Sequence, residues 1–523
     1  MTDLLTRRLD ILNRAEGGTL LAGGAQGVEK ESLRVRPDGE LSLARHPAAL
    51  GSALTHPHIT TDYSEALMEF VTGTHSRAED LVQELADIHR YVYAEMGDEM
   101  LWNQSMPCRL PGEADIPIAW YGTSNSGMLK HVYRRGLAVR YGKSMQCIAG
   151  IHFNYSLAPQ AWPLISELAG GAQAQQSEGY LALIRNFSRY SWLLMYLFGA
   201  SPALDAGFMR GREHELQALD ENTLYLPWAT SLRMSDLGYQ NRAQSGLKPC
   251  YTDLKSYLDN LYHAVNQPWP PYEAIGTRQN GEWVQLSTHI LQIENEYYSS
   301  IRPKRVARRG ERPLRALHER GVQYVEVRCM DIDPFSPVGF ELPAARFLSA
   351  FLLMCALDDS PLLPQRGWCQ ESGDNFALVV KEGRRPGLLL GKGGAQVPLA
   401  DWAHALLDRI ALCAQALDAA HDGGNAHAAA LELQRQKIDD PARTPSARVL
   451  AGLRETGMSF SEYFLDLGRR HALAFRNQPL GAAERAVFDA ESRRSIQEQE
   501  ELERTQTGNF DDYVAAYHSS LYD

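Results

Sequence analysis

Apolar and polar residues alternate with a period of two in five short stretches of the chain, a pattern typical of β-strands. In one stretch, Ile151 and Phe153 fall on the opposite side from His152. Strands of this kind predict an antiparallel sheet with one buried face and one polar face. The five stretches are residues 27–34, 62–70, 151–155, 291–298 and 324–328.

The polar sides of these stretches carry many carboxylates. Glu29 shares a side with Glu31, and Glu326 shares a side with Arg328. Residues 281–298 are predicted to form a long strand whose polar side holds Gln292, Glu294, Glu296 and Tyr298. A single acid of this kind fits an exposed strand face. Five stretches in one sheet would crowd like charges, and Mg²⁺, which takes oxygen ligands and bridges carboxylates to phosphates, would relieve that repulsion.

Helical spacing separates the strands and then dominates the last third of the chain. Residues 76–96 place apolar side chains at helical intervals, and helical patterns are nearly continuous from about residue 342 to 506. No internal repeat or low-complexity linker divides the chain. We therefore predict one catalytic α+β domain over residues 1–523, with a sheet core at about 20–335 and a helical region at about 340–506.

Charge and cysteine content restrict the class of partner. The net charge is −12 and the isoelectric point is about 5.8, which argues against nucleic acid as a partner. The seven cysteines are scattered and lack CxxC spacing, so neither a zinc site nor a disulfide framework is indicated. Residues 1–16 lack the apolar core of a signal peptide, and no apolar run reaches the roughly 18 residues of a spanning helix. These features predict a cytoplasmic protein without a membrane contact.

Eight motifs, in one order along the chain, carry a resemblance to a known family. They are GVEKESLR (27–34), LTHPHITTDYSEALMEF (54–70), YGTSNSG (121–127), GIHFNYS (150–156), SLRMSDLGY (231–239), LQIENEYY (291–298), IRPKR (301–305) and YVEVR (324–328). With these motifs the chain resembles the bacterial, single-function type of glutamate–cysteine ligase (γ-glutamylcysteine synthetase) from about residue 20 to 475. The chain is too short to add the ATP-grasp domain of the bifunctional fusion enzymes.

The resemblance implies both a fold and a reaction. The fold would be a cupped, mainly antiparallel sheet of the glutamine synthetase type, with surrounding helices and a helical C-terminal region. The reaction would be the ATP-dependent joining of the γ-carboxyl of L-glutamate to the amine of L-cysteine through γ-glutamyl phosphate. This is the first step of glutathione biosynthesis. ATP would be a co-substrate and Mg²⁺ (or Mn²⁺) a cofactor, with glutathione as a feedback inhibitor and the monomer as the functional unit.

The resemblance also implies a role for individual residues. The metal ligands would be Glu29, Glu31, Asp62, Glu69, His152 and Glu326, and the catalytic residues would be Arg328, Glu29 and Glu326. Arg233 would bind the α-carboxylate of glutamate. The cysteine pocket would be formed by Tyr133, Leu137, Gln146, Tyr239 and Tyr298. Lys304 and Arg302 are candidates for contacting ATP phosphates, since phosphoryl transfer depends on positioning and charge neutralisation.

Two other functions fit the residue pattern. A carboxylate–amine ligase of the same fold would use a different amine acceptor, and a comparison of amino acids as acceptors separates it from the first hypothesis. A non-catalytic sensor of a divalent ion or an amino acid would keep the acids of the site. A sensor does not require the cations Arg328 and Lys304 beside those acids, which favours an enzyme.

Overall fold

The computed structural model describes residues 3–237, 243–244, 246–247, 251–308, 310–362, 368–421 and 423–521. Its strands, numbered in chain order, are β1 (Ala25–Val35), β2 (Ile59–Thr61), β3 (Leu67–Val71), β4 (Met100–Trp102), β5 (Ile151–Ser156), β6 (Ala203–Asp205), β7 (Gln217–Ala218), β8 (Thr223–Tyr225), β9 (Arg278–Gln279), β10 (Glu282–Trp283), β11 (Ile301–Lys304), β12 (Tyr324–Met330), β13 (Leu389–Lys392) and β14 (Ala395–Pro398).

The helices surround the strands and fill the C-terminal third. They are α1 (Leu4–Arg14), α2 (Thr19–Ala22), α3 (Ala78–Glu95), α4 (Asn125–Tyr141), α5 (Ala161–Ile165), α6 (Ala172–Phe198), α7 (Leu254–Asn266), α8 (Pro270–Ile275), α9 (Pro313–Arg320), α10 (Leu342–Leu357), α11 (Trp368–Glu382), α12 (Leu399–Ala420), α13 (Ala426–Asp439), α14 (Pro445–Thr456), α15 (Phe460–Arg476), α16 (Ala482–Thr505) and α17 (Phe510–Ser519). None of these described helices is long and apolar enough to cross a membrane.

One large sheet organises the described part of the chain. Its strands run in the order β11-β12-β5-β1-β3-β2, with β4 also paired to β1, and every pairing is antiparallel. The central strand β1 is therefore paired along most of its length on both sides. The predicted α+β class with a mainly antiparallel sheet is confirmed.

The apolar sides of the strands form the core on one face of the sheet. Val28, Phe70, Phe153 and Val325 are almost completely buried. Helices α3 and α6 contact this sheet, and α10 packs against both of them. Burial of large apolar side chains is the main favourable contribution to folding, at about 25 cal/mol per Å². The opposite face of the sheet is thus left for polar side chains.

Two of the five strand predictions need correction. Residues 62–70 do not form one strand, because β2 ends at Thr61 and a tight turn precedes β3. The long strand predicted over 281–298 is wrong: residues 294–296 form a 3₁₀ turn, and the edge strand of the sheet is β11. The carboxylates of Glu294 and Glu296 bind the buried arginines Arg312 and Arg140, so the alternating pattern did not reflect a strand.

The C-terminal region is helical, as the spacing predicts. The helices continue beyond residue 506 with α17, and a small hairpin of β13 and β14 interrupts them. The prediction that residues 1–523 form a single catalytic domain stays a prediction.

Candidate active site

A cavity of about 410 Å³ lies over the polar face of the sheet. Its walls come from strands β1, β3, β5, β11 and β12, from helix α4, and from the 3₁₀ turn Leu232–Met234. The predicted site residues that line it are Glu29, Glu31, Asp62, Glu69, Tyr133, Leu137, Gln146, His152, Arg233, Tyr298, Arg302, Lys304, Glu326 and Arg328. Tyr239, also predicted for the site, lies outside the described residues. Residues spread over 300 positions of sequence therefore meet in one place.

The register of the strands brings the acids together. Glu29 on β1 lies directly opposite His152 on β5, and Glu31 lies opposite Glu69 on β3. His152 Nδ1 is 3.2 Å from Glu29 Oε2, and its Nε2 is 3.7 Å from Glu31 Oε1. Like charges opposite each other in a sheet destabilise it. The Glu31–Glu69 pairing is therefore unfavourable unless a cation lies nearby.

Asp62 reaches the cavity from a turn. It follows β2 immediately, and its main-chain carbonyl accepts hydrogen bonds from Tyr121 Oη at 2.9 Å and from Arg134 Nε. These two bonds fix the backbone of the turn, so the carboxylate of Asp62 projects from a fixed position beside Glu69. The turn replaces the continuous strand of the prediction and still delivers the carboxylate to the cavity.

Burial and neighbouring charges divide the acids into two groups. Burial raises the pKa of Glu31, and burial together with Glu29 and Asp62 raises the pKa of Glu69 well above its usual value. For Glu326, burial acts to raise the pKa, but Lys304 and Arg328 outweigh it and hold the pKa well below its usual value. For Glu29, burial acts to raise the pKa, but the hydrogen bond and charge interaction with His152, together with Lys304, outweigh it and lower the pKa. The surroundings thus favour the charged forms of Glu29 and Glu326 and disfavour those of Glu31 and Glu69.

The donor set fits a hard divalent cation. Glu29, His152 and Glu326 each offer a ligand atom, and these atoms all lie within 4.8 Å of one another. Asn154 donates to Glu29 Oε1 at 3.0 Å, while its own Oδ1 is buried without a hydrogen-bond partner in the described chain. Carboxylate-rich oxygen donors suit Mg²⁺ or Mn²⁺ better than a thiolate-seeking metal. Burial and neighbouring carboxylates raise the pKa values of Glu31 and Glu69, and a bound cation would favour their charged forms.

Two cationic side chains contact the carboxylate of Glu326. Lys304 Nζ is 3.3 Å from one carboxylate oxygen of Glu326, and Arg328 Nη1 is 3.1 Å from the other. Arg328 Nε is buried and has no hydrogen-bond partner among the described residues. Arg302 lines the cavity too, but its guanidinium donates to the main-chain carbonyls of Asn295 and Tyr297. Lys304 and Arg328 therefore present positive charge to a ligand, while Arg302 also holds the turn beside the site.

The remaining wall is partly apolar. Tyr133 and Leu137, one turn apart on α4, line it together with Gln146 and Tyr298. The side-chain nitrogen of Gln146 is buried without a partner in the described part of the protein, so a polar group of a ligand can accept from it. Arg233 enters from its 3₁₀ turn. An anionic and a small apolar group can thus be accommodated side by side.

Three charged lining residues were absent from the predicted site. Lys130 and Arg134 line the cavity from α4, and Glu296, which binds Arg140, lines it too. Residues 130, 133, 134 and 137 share one face of a helix, so the i, i+3, i+4, i+7 spacing around Tyr133 and Leu137 is a signal that points to Lys130 and Arg134. Glu296 carries no comparable local signal.

Comparison with known proteins relates this architecture to a family. The family model for glutamate–cysteine ligase matches residues 9–379. A glutamate–cysteine ligase of Bordetella parapertussis is 61% identical over 502 residues, which cover 96% of this chain and 95% of that protein. One from Pseudomonas paraeruginosa is 60% identical over 524 residues, covering 100% of this chain and 99% of the relative.

Solved structures show the same likeness. The crystal structure of a glutamate–cysteine ligase of Francisella tularensis in complex with AMP superimposes with a TM-score of 0.89 at 37% identity, and it covers 95% of this chain and 98% of its own. A bifunctional glutathione synthetase from Pasteurella multocida shares the fold, with a TM-score of 0.73 at 24% identity over 94% of this chain and 58% of that one. On the match of the family model and on full-length identity of about 60%, the chain belongs to the glutamate–cysteine ligase family.

Proposed function

We propose that the protein joins the γ-carboxyl of L-glutamate to the amine of L-cysteine at the expense of ATP, forming γ-glutamylcysteine, ADP and phosphate. One observation carries the proposal: carboxylates from β1, β3, β12 and the turn after β2 meet the cations Lys304 and Arg328 in one cavity. Phosphoryl transfer needs this combination, because its transition state is stabilised almost entirely by positioning and charge neutralisation. The family and the AMP complex of the Francisella tularensis protein support ATP as the co-substrate.

The reaction has two steps. An oxygen of the γ-carboxylate of glutamate attacks the γ-phosphorus of ATP, the bond to ADP breaks, and γ-glutamyl phosphate forms. The amine of cysteine then attacks the acyl carbon, phosphate departs, and the amine loses a proton. Arg328 carries a guanidinium that is held by Glu326 and lines the same cavity, so it can meet the negative charge that develops on the transferring group.

Glu29, Glu31, Asp62, Glu69, His152 and Glu326 would hold Mg²⁺, or Mn²⁺ in its place. When bound, the ions would neutralise the phosphates of ATP and make the crowded acids tolerable to each other. Lys304 contributes a further positive charge for the nucleotide phosphates, and Arg302 borders the same region. The ligand set is supported by the clustering of Glu29, His152 and Glu326 and by the two carboxyls with raised pKa values.

The two amino acids would bind on the side of Arg233 and α4. Arg233 can form a two-pronged ion pair with the α-carboxylate of glutamate. Tyr133, Leu137, Gln146 and Tyr298 would form the cysteine pocket, where an apolar wall suits the thiol and the unpaired Gln146 nitrogen offers a donor. We assign Tyr239 to the same pocket on the resemblance alone.

The test is an ADP-release assay with each component omitted in turn. We expect ADP release only when glutamate, cysteine, ATP and Mg²⁺ are all present, and we expect cysteine to have the highest kcat/KM among amino acids offered as acceptors. A higher kcat/KM for another amine would identify a carboxylate–amine ligase with a different acceptor. ATP binding without turnover under all conditions would contradict the ligase and favour a sensor.

We further propose that the enzyme works in the cytoplasm as a monomer in the first step of glutathione synthesis, with glutathione as a feedback inhibitor. Six of the seven cysteines lie in the described part of the chain, and all six have free thiols, which agrees with a reducing compartment. Size-exclusion chromatography with light scattering tests the monomer, and inhibition of ADP release that glutathione exerts in competition with glutamate tests the feedback.

A further inference from the structure

The guanidinium of Arg233 is held in one pose by groups outside the proposed metal site. Its Nη2 donates to the main-chain carbonyl of Arg328 at 2.9 Å, and its Nη1 donates to that of Met330 at 3.2 Å. Both acceptors belong to β12, two residues apart. Arg233 is only 8% exposed, so the pose is enclosed rather than one of many surface conformations.

Gly150 leaves the space that the guanidinium occupies. A Cβ atom at this position would lie 2.0 Å from Arg233 Nη2 and 2.5 Å from its central carbon, much closer than atoms can approach. Gly150 itself is fixed to β1, since its nitrogen donates to Glu31 Oε2 at 2.7 Å and its carbonyl accepts from Glu31 N at 3.0 Å. The backbone beneath Arg233 therefore cannot shift away without disturbing β1.

Asp331 lies behind Arg233, immediately after β12. Its Oδ1 is 3.7 Å from Arg233 Nη1 and accepts from Ser231 Oγ at 3.0 Å. Its Oδ2 accepts from Ser201 Oγ at 2.7 Å and from the main-chain nitrogen of Ala200 at 2.8 Å. Ser231 is also the N-cap of the 3₁₀ turn that carries Arg233. A fully buried carboxylate with three hydrogen bonds is a rigid anchor for the turn and for the charge on it.

We propose that Asp331 and Gly150 are positioning residues for Arg233 and thereby set the affinity for the amino acid that is phosphorylated. Asp331 fixes the turn and the charge of Arg233 from behind, and Gly150 lets the guanidinium lie flat against the backbone between β1 and β12. Neither residue touches the reacting atoms. The inference rests on the proposed role of Arg233 in binding the α-carboxylate of glutamate.

The first variant is Asp331→Asn, which keeps the size of the side chain and removes its charge. We expect KM for glutamate to rise about tenfold or more, because a misplaced charged partner loses most of its contribution to binding. The KM values for ATP and cysteine should stay within about twofold, since their proposed contacts lie elsewhere in the cavity. If Asp331 merely neutralised Arg233, its removal would free the guanidinium and lower KM for glutamate, and this result would overturn the proposal.

The matched control is Asp205→Asn. Asp205 is a similarly buried carboxylate that binds Ser461 Oγ and the nitrogen of Gly207, and it does not line the cavity. The Asp205→Asn substitution should leave the KM for glutamate unchanged. An equal rise in both variants would mean that the effect is a general loss of structure, and the proposal would fail.

Gly150→Ala tests the same idea without removing a charge, and it carries the test should Asp331→Asn not fold. The group that the new methyl displaces is the end of a flexible side chain, so we expect a folded protein with a KM for glutamate raised in the same direction. Gly452→Ala on α14 is its control, because there a Cβ would lie 2.1 Å from Tyr463 Oη on α15, outside the cavity. A Gly150→Ala enzyme with the original KM would refute the proposal.

A double-variant cycle separates this inference from the proposed function. If Arg233→Gln leaves KM for glutamate unchanged, the proposed role of Arg233 is wrong, and the inference falls with it. If Arg233→Gln raises KM but Asp331→Asn and Gly150→Ala do not, only the positioning role is wrong. We expect Asp331→Asn to add less than about twofold in an Arg233→Lys background, since residues acting through one group are not additive.

Discussion

Two glutamates from the same sequence pattern should respond in opposite ways to the same substitution. Glu294 and Glu326 are both almost completely buried and both bind an arginine. Glu326 lines the cavity, whereas Glu294 binds Arg312 and is not among the lining residues described. We predict that Glu294→Gln lowers stability and largely keeps activity, while Glu326→Gln lowers activity and largely keeps stability.

The magnitudes follow from the two environments. Arg312 has no exposed side-chain surface, and three contacts of 2.5–3.3 Å join it to Glu294, so the substitution leaves a buried charge without its partner at a cost of about 3–5 kcal/mol. At about 2.1 cal/mol/K per residue, unfolding 523 residues has an entropy of about 1.1 kcal/mol/K, so Tm should fall by about 3–5 °C. The cations beside Glu326 are 22–28% exposed, and water can replace the lost charge at about 1 kcal/mol.

The effect on catalysis should be reversed. Loss of Glu326 removes a proposed metal ligand and the carboxylate that holds Arg328, which should lower kcat about 100-fold or more. ADP release at 25 °C and saturating substrates, together with the Tm of each variant, measures both effects. The reasoning is refuted if Glu326→Gln retains kcat within about tenfold, or if Glu294→Gln loses as much activity as Glu326→Gln while both proteins are folded.

Three further outcomes follow from the structure. Mg²⁺ at about 100 times its Kd should raise the free energy of unfolding by about 2.7 kcal/mol, and thus Tm by about 2–3 °C; the double variant Glu31→Gln/Glu69→Gln should lose this shift, and a shift that persists would contradict the proposed ligands. Leu137→Ala should lower kcat/KM for cysteine about tenfold and leave KM for glutamate unchanged, since a shortened apolar wall costs about 1–3 kcal/mol; equal changes for both amino acids would place Leu137 elsewhere. Burial, assisted by Lys30, holds the pKa of His89 well below its usual value. The contribution of His89 to stability is therefore complete above about pH 6.5 and is lost as pH falls below it, by at most about 1.4 kcal/mol per pH unit. When the free energy of unfolding is measured in urea at several pH values, it should fall less steeply with decreasing pH in His89→Gln than in the parent protein, and an identical pH dependence would contradict this.

Much of the site could be predicted because many of its residues belong to short stretches whose pattern of polar and apolar residues is visible in the sequence. Residues 27–34, 151–155 and 324–328 do form strands, with Glu29, His152 and Glu326 on the polar side and apolar residues in the core. Strand alternation depends only on backbone geometry, so it is visible in a few consecutive residues. The resemblance added the residue types that the alternation alone does not connect, such as Arg233 and Tyr133, and these also line the cavity.

The errors have a common physical origin. Residues 291–298 alternate like a strand, but Glu294 and Glu296 bind Arg312 and Arg140, which lie 18 and 156 positions away. A buried charge is stable only when another part of the fold supplies its partner, so no pattern of neighbouring residues predicts the ion pair. Lys130 differs, because its helical spacing from Tyr133 and Leu137 is a local signal, although only the placement of α4 beside the cavity brings it to the acids.

By itself, the sequence determined which residues alternate, which faces are apolar, and that acids and cations recur in a family-specific order. Only the tertiary structure decided which acids meet. Glu29 opposes His152 and Glu31 opposes Glu69 because of strand register, and Glu294 binds the buried Arg312 instead of lining the cavity. The reason is that a strand's period sets the face of a side chain, whereas its neighbours depend on pairing between segments far apart in the chain.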